Sequence, residues 1–177
     1  MRNVAALELS STPAEETASP DPDDSVGVFR QAMRRHAAGV CIVSTGEGED
    51  VNGMAVTSAT SFSFDPPSVL VCVNETASIA ARLGEGCVFG LTLLGRAHEA
   101  VAAAFSRKPS GRPRFDHGAW MLEAGEPPWL ADAPANLACV VERTLSYGTH
   151  MALIGRVRSA KLGPHGPSLV YRDGRYD

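Results

Sequence analysis

Asn52-Gly53-Met54-Ala55-Val56-Thr57-Ser58-Ala59-Thr60-Ser61-Phe62-Ser63 runs through Phe64 into an Asp65-Pro66-Pro67 stop, then into Ser68-Val69-Leu70-Val71-Cys72-Val73-Asn74. Five hydroxyls fall within the seven residues from Thr57 to Ser63. A strand that unravels into such a loop offers backbone N–H groups and neutral hydroxyls to a phosphate or to the polar edge of a flat ring. Gly53 and the small Ala55 would let that ring approach the main chain. By the same chemistry the stretch is equally a Ser/Thr-rich edge strand with no ligand. The apolar run Val69–Val73 reads as a buried strand.

Upstream, Val40–Thr45 and Asn52–Ser58 flank a Gly46–Asp50 turn and read as a hairpin. Before them, Val28-Phe29, Ala32-Met33 and His36-Ala37 have the spacing of one helix face, ended by Gly39. Downstream, Thr76 is placed to cap a short helix, Ala77–Leu83, that stops at Gly84. A strand over Val88–Leu94 precedes an alanine-rich helix from Ala97 to Phe105. The loop Ser106–Gly118 carries Arg107, Lys108, Arg112 and Arg114. Two long β-rich stretches, Ala135–Tyr147 and His150–Lys161, and a short strand at Leu169-Val170-Tyr171 complete the pattern. Many strands, few helices and no Gly-x-Gly-x-x-Gly turn predict a mainly β domain, an antiparallel barrel with helices outside, and no Rossmann unit.

Composition narrows the classes. The chain has 177 residues, 44% hydrophobic and 20% charged, which suits one domain with a real core. No apolar run approaches the roughly 20 residues of a membrane span, and the N-terminus lacks a signal-like apolar region, so the cytoplasm is the expected compartment. Residues 1–25 hold one Arg and six acids, net −5, and are read as a disordered acidic leader; against a total of −4 the 26–177 domain is near +1. That balance gives no basic stripe for nucleic acid and no cluster for a membrane surface. Cys41, Cys72, Cys87 and Cys139 lie far apart in apolar stretches and read as buried small hydrophobes. His36, His98, His117 and His165 show no metal spacing and read as solvated.

The stretch Gly53–Pro67 followed by Val69–Asn74 resembles the signature of the flavin reductase-like family, the short-chain NAD(P)H:flavin oxidoreductases of two-component monooxygenases. Phe29-Arg30 through Gly39-Val40, Ala104-Phe105-Ser106 with Arg114-Phe115, Gly148-Thr149-His150 leading to Ile154–Val157, and Tyr171–Tyr176 resemble further parts of its pattern, from about residue 26 to the end. The resemblance implies a split β-barrel of the FMN-binding, Greek-key type and a homodimer. It implies FAD or FMN, NADH or NADPH, and a flavin-dependent monooxygenase as the acceptor of reduced flavin. Asn52, Gly53, Met54 and Ala55 would line the isoalloxazine, and Thr57 and Ser58 would bond its polar atoms. Cys72, Val73 and Asn74 would end a strand beside the ribityl chain, and Ser78, at a helix start, would meet phosphate. Phe105 would pack near the flavin. His150 would position the nicotinamide, with Tyr171, Arg172 and Gly174 completing that side.

Ala55, Ala59, Thr92 and Thr149 depart from the family's usual residues, which bears on individual hydrogen bonds and on flavin preference. Three other readings stay open on the residues alone: a non-catalytic flavin-binding protein; an enzyme resembling pyridoxamine-phosphate oxidase, for which the Arg107–Arg114 loop is the candidate phosphate site; and a ligand-free dimerisation module.

Overall fold

The computed structural model describes residues 24–177, so nearly all of the expected leader lies outside it. The chain divides into a unit that ends at Met33 and a second, Arg34–Asp177. In the first, α1 (Ser25–Arg34) is capped by Asp24, whose Oδ1 accepts the Gly27 N–H at 2.9 Å, and buries none of its residues. The helix was expected to run to Ala37 and end at Gly39. Instead Ala38–Gly39 forms β1, because its backbone is taken up by a strand near the far end of the sequence, β11 (Val170–Arg172), which also pairs with β12 (Arg175–Tyr176).

The remaining strands follow in chain order. They are β2 (Cys41–Thr45), β3 (Asn52–Val56), β4 (Ala59–Phe64), β5 (Pro67–Asn74), β6 (Val88–Leu93), the short pair β7 (Trp120–Met121) and β8 (Trp129–Leu130), β9 (Ala135–Tyr147) and β10 (His150–Leu162). Seven of them make one sheet in the order β3-β2-β6-β9-β10-β5-β4, and every pairing in it is antiparallel. Mainly β with few helices is therefore the observed class. Consecutive strands β3 and β4 occupy opposite edges, joined by Thr57 and Ser58 alone.

One open reading is decided and two expectations are corrected. The hydroxyl-rich run is mostly edge strand rather than loop: β4 pairs with β5, with an irregularity between Ser61 and Ser63. An edge strand has a partner on one side only, so it tolerates the polar side chains that looked like a loop. The helix expected over Ala77–Leu83 is absent. Asn74 Oδ1 accepts both the N–H (2.9 Å) and the hydroxyl (2.8 Å) of Thr76, closing a side-chain turn, and only one 3-10 turn, Ala80–Arg82, follows. Ile79 and Leu83 are fully buried there, so an apolar pair at helical spacing is satisfied without a helix. His98 is also not solvated. It is 7% exposed, its Nδ1 accepts the Gly95 N–H at 3.0 Å, and its Nε2 lies 3.5 Å from Asp132.

Two apolar clusters flank β2, whose five residues are all buried. Cys41 and Val43 face Val71, Val73, Phe89, Cys139 and Leu153; Ile42 faces Phe105, Phe115 and Leu130. Each such aliphatic or aromatic side chain contributes about 1.5–3 kcal/mol when buried. The second cluster exists because α2 (Glu99–Ser106) packs on this side, burying Val101, Ala102 and Phe105 from one face. Gly155 in β10 leaves room for the Phe89 ring, which a Cβ there would overlap, and the β9–β10 register shifts at that point. Between β6 and β9, Asn136 accepts from Thr92 Oγ1 (2.8 Å) and from the Leu130 N–H (3.1 Å) and donates to the Leu130 carbonyl (2.9 Å), which fixes β8 against the sheet.

Candidate active site

A cleft of about 550 Å³ opens where β3, the Asn74–Ser78 turn and the segment after α2 meet. Met54 and Ala55 form its strand side; Thr76, Ala77 and Ser78 form a second wall; Ser106, Arg107, Lys108 and Ser110 form a third. A smaller cavity of about 220 Å³ continues past Ala55 and Ser106, bounded by Thr57, Tyr171 and Tyr176.

The strand side is backed by close aromatic packing. Phe105, 1% exposed, stands edge-on to Phe115 at 5.0 Å and tilted against Trp120 at 5.0 Å. Its ring fills the space above Gly53, where a Cβ would come within 2.7 Å. Asn52 is buried beneath the cleft. Its Oδ1 accepts the Gly53 N–H (2.8 Å) and its Nδ2 donates to Ser78 Oγ (3.2 Å), so one amide ties the strand to the facing turn. Tyr171 and Tyr176 pack at 5.3 Å, and the Tyr176 hydroxyl shares a hydrogen bond with Ser106 Oγ (3.2 Å) that links the C-terminal hairpin to α2.

Arg114 holds the third wall. Its guanidinium donates to the carbonyls of Arg107 (2.7 Å from Nη2) and Pro109 (3.1 Å from Nε), and to the carbonyl of Gly53 in β3. Burial lowers its pKa from the ordinary value. Arg107 and Lys108 are exposed, and neither forms an ion pair among the described residues. The cleft thus joins exposed positive charge, several hydroxyls and a strand surface.

This arrangement sits on a chain whose residues 33–177 match the family model described as flavin reductase like domain. The chain belongs to that family. It is 34% identical over 171 residues to FMN reductase (NADH) RutF 2 of Rhizobium rhizogenes, covering 96% of this chain and 98% of the relative. It is 36% identical over 151 residues to the reductase component of the FADH(2)-dependent resorcinol hydroxylase of a Rhizobium species, covering 84% of each. Among solved structures, the NADH:FAD oxidoreductase SgcE6 of Streptomyces globisporus in complex with NAD and FAD fragments superposes with a TM-score of 0.79 at 30% identity, over 90% of this chain and 95% of that one.

Of the residues singled out in the sequence, the structure brings Met54, Ala55, Ser78 and Phe105 to the cleft, and Ala55, Thr57 and Tyr171 to the cavity beside it. Asn52 and Gly53 lie directly behind. Ser58 Oγ is committed to the Cys72 carbonyl at 2.8 Å. Val73 is fully buried, so only its main chain could meet a ligand, and Cys72 is half-buried. Ser78 does not head a helix, so no helix dipole stands behind it. Arg172 pairs with Asp177 at 3.5 Å, and Gly174, at φ +86°, shapes the β11–β12 turn. His150 is exposed at the start of β10, opposite Asn74 in register, with Nδ1 sharing a hydrogen bond with Thr149 Oγ1 at 2.9 Å. It borders the Asn74–Ser78 turn without lining the cleft. Ser106 and Arg114, which the resemblance puts in the loop over the flavin, line the cleft; Ser110 and Thr76 line it without having been singled out as site residues. Their signal, hydroxyls and cations spread across two unrelated loops, becomes a pattern only once the loops meet.

Proposed function

We propose that this chain reduces free flavin, FAD or FMN, with NADH or NADPH, and supplies the reduced flavin to a flavin-dependent monooxygenase. The observation that carries the reading is the cleft itself, a strand surface at Met54–Ala55 flanked by Arg107 and Lys108, which form no ion pair among the described residues, and by the hydroxyls of Thr76, Ser78 and Ser110. That donor set fits a planar ring bearing a phosphate chain. The bound flavin supplies N5 as hydride acceptor, chemistry no side chain offers.

The protein's own part is placement and exclusion of water. Met54 and Ala55, backed by Phe105, hold one ring face, while Asn52 keeps Ser78 turned toward the phosphate side. Tyr171 closes the neighbouring cavity, where the nicotinamide would enter. His150, carried beside Asn74, acts as a positioning group, since hydride transfer needs no proton taken from carbon. Thr57, Ser58, Cys72 and Asn74 serve through main-chain and short polar contacts at the link between the sheet edges. Arg172 and Gly174 keep the C-terminal hairpin in shape.

The sheet closes, in this reading, into a Greek-key split barrel through the two-residue β3–β4 link. Phe62 and Phe64 on edge strand β4, and Leu145 and Tyr147 at the outer end of β9, give a second copy apolar surface to cover. The four free cysteines suit a reducing, cytoplasmic setting, and no described helix is long and apolar enough to cross a membrane.

The test is direct. NADH and NADPH oxidation is followed with FMN, FAD and riboflavin in turn. Turnover is expected with at least one pair, from protein purified nearly colourless because a shuttled flavin must leave. Absence of turnover with every pair overturns the reading, and tight yellow flavin without turnover replaces it with a storage or sensing role.

A further inference from the structure

The link between β2 and β3 carries Asp50, which lines no part of the cleft. Arg82, at the end of the 3-10 turn behind the Ser78 wall, reaches across to it. Its Nη2 donates to the Asp50 carboxylate at 2.7 Å and its Nη1 to the Asp50 carbonyl at 2.6 Å. Two residues further on, Asn52 Nδ2 donates to Ser78 Oγ at 3.2 Å. Residues 50 and 52 thus hold residues 82 and 78, and the stretch that begins with Ser78 is tied down at both ends. Ile79 and Leu83, fully buried, anchor its inner side. An exposed ion pair between two side chains contributes little to stability. Here one planar fork grips the carboxylate and the main chain of the same residue, which fixes a position. The adjacent acid, Glu49, has no such grip. It lies 3.8 Å from Arg112 Nε, and Arg112 donates instead to Asp116 at 2.7 Å.

We propose that Asp50 and Arg82 are a positioning pair for flavin phosphate, holding the Thr76–Ser78 wall where its hydroxyls and the facing Arg107 and Lys108 meet the same group. Neither residue touches the ligand; both act through the turn they tie down. The proposal rests on the flavin reading of the cleft, in which Ser78 is turned toward the phosphate. It also predicts a sign. Judged by charge alone, deleting an acid favours an anion, so loss of Asp50 would tighten phosphate binding. Loss of a positioning acid weakens it.

FMN and riboflavin share the ring and differ by the phosphate, so both are titrated into the full chain and followed by flavin fluorescence. The wild type should bind FMN the tighter of the two. Asp50→Ala and Arg82→Gln should each weaken FMN about fivefold, the upper end for an exposed ion pair. Riboflavin should stay within about twofold, and the double variant should be no worse than either single change. Asp50→Asn, which keeps the shape and a weaker acceptor, should shift FMN in the same direction by less. Glu49→Gln should leave both flavins unchanged. Tighter FMN binding by Asp50→Ala, equal weakening of the two flavins, or equal wild-type affinity for them overturns the proposal, whether or not nicotinamide is oxidised. The expected split without nicotinamide oxidation keeps the pair and overturns the reductase reading alone.

Discussion

The buried guanidinium of Arg114 donates to the main-chain carbonyl of Gly53, tying the basic loop after α2 to the strand that floors the cleft. The same group holds the Arg107 and Pro109 carbonyls, so three acceptors depend on one side chain. Arg114→Met is expected to leave them unsatisfied, at a cost of about 2–4 kcal/mol in urea unfolding. Arg114→Lys should recover less than half of this, because a point charge cannot reproduce the planar fork. Flavin titration should show weakened binding in both variants, since the third wall loses its anchor.

Gly53→Ala places a methyl 2.7 Å from the Phe105 ring and 3.0 Å from the Val43 carbonyl. Phe105 packs against Phe115 and Trp120, so shifting its ring away from the methyl disturbs both. Overpacking of about 1–3 kcal/mol is expected, read as a lowered melting temperature. Combining it with Phe105→Leu should cost less than the sum of the two single changes, the signature of a direct clash.

His150→Ala tests the nicotinamide side. The side chain is exposed and bonds only Thr149, so its loss should not disturb the sheet. NADH turnover is expected to fall about tenfold, of the order of one lost positioning contact. Flavin affinity measured by fluorescence should stay within about twofold. A collapse of flavin binding instead would place His150 on the wrong substrate.

The elements legible in the sequence were those whose cause is local. The β2–β3 hairpin declares itself by two apolar runs about a Gly-rich turn, and β9 and β10 by long β-rich stretches meeting at Gly148-Thr149. The family motifs led to Met54, Ala55, Ser78 and Phe105 at the cleft. What escaped was decided at a distance. β1 is a strand only because β11 lies against it, and β4 hides its pairing under Thr and Ser. The turn after Asn74 is set by one amide side chain that outcompetes helix spacing at Ile79 and Leu83. Arg114 is marked by the resemblance as part of the loop over the flavin, but its burial and its three carbonyl partners are not written in a basic loop.

The thiols give the pH dependence a sign. Burial raises Cys41 to about 11 and Cys139 to about 12 from an ordinary 9.0. A thiol harder to ionise when folded gives stability that is complete below pH 9 and is lost as pH rises toward those values. Unfolding free energy followed from pH 7 to about 11 should therefore decline in the alkaline limb. Cys139→Ala should flatten that limb relative to wild type while lowering stability at neutral pH by about 1 kcal/mol.

The strand order carries a consequence for a chain still on the ribosome. β9 and β10 lie in the middle of the seven-stranded sheet, yet they are the last of the seven to be synthesised. Until they emerge, β2, β3 and β6 can pair among themselves, as can β4 with β5, but no strand pairing joins the two groups, which are held only by the Thr57-Ser58 link. Met54 and Ala55 belong to the first group, and the Ser78 wall hangs from the second. A nascent chain halted before Ala135 would carry the strand side and the Ser78 wall of the cleft with no central strands between them, and open strand edges exposed on each group.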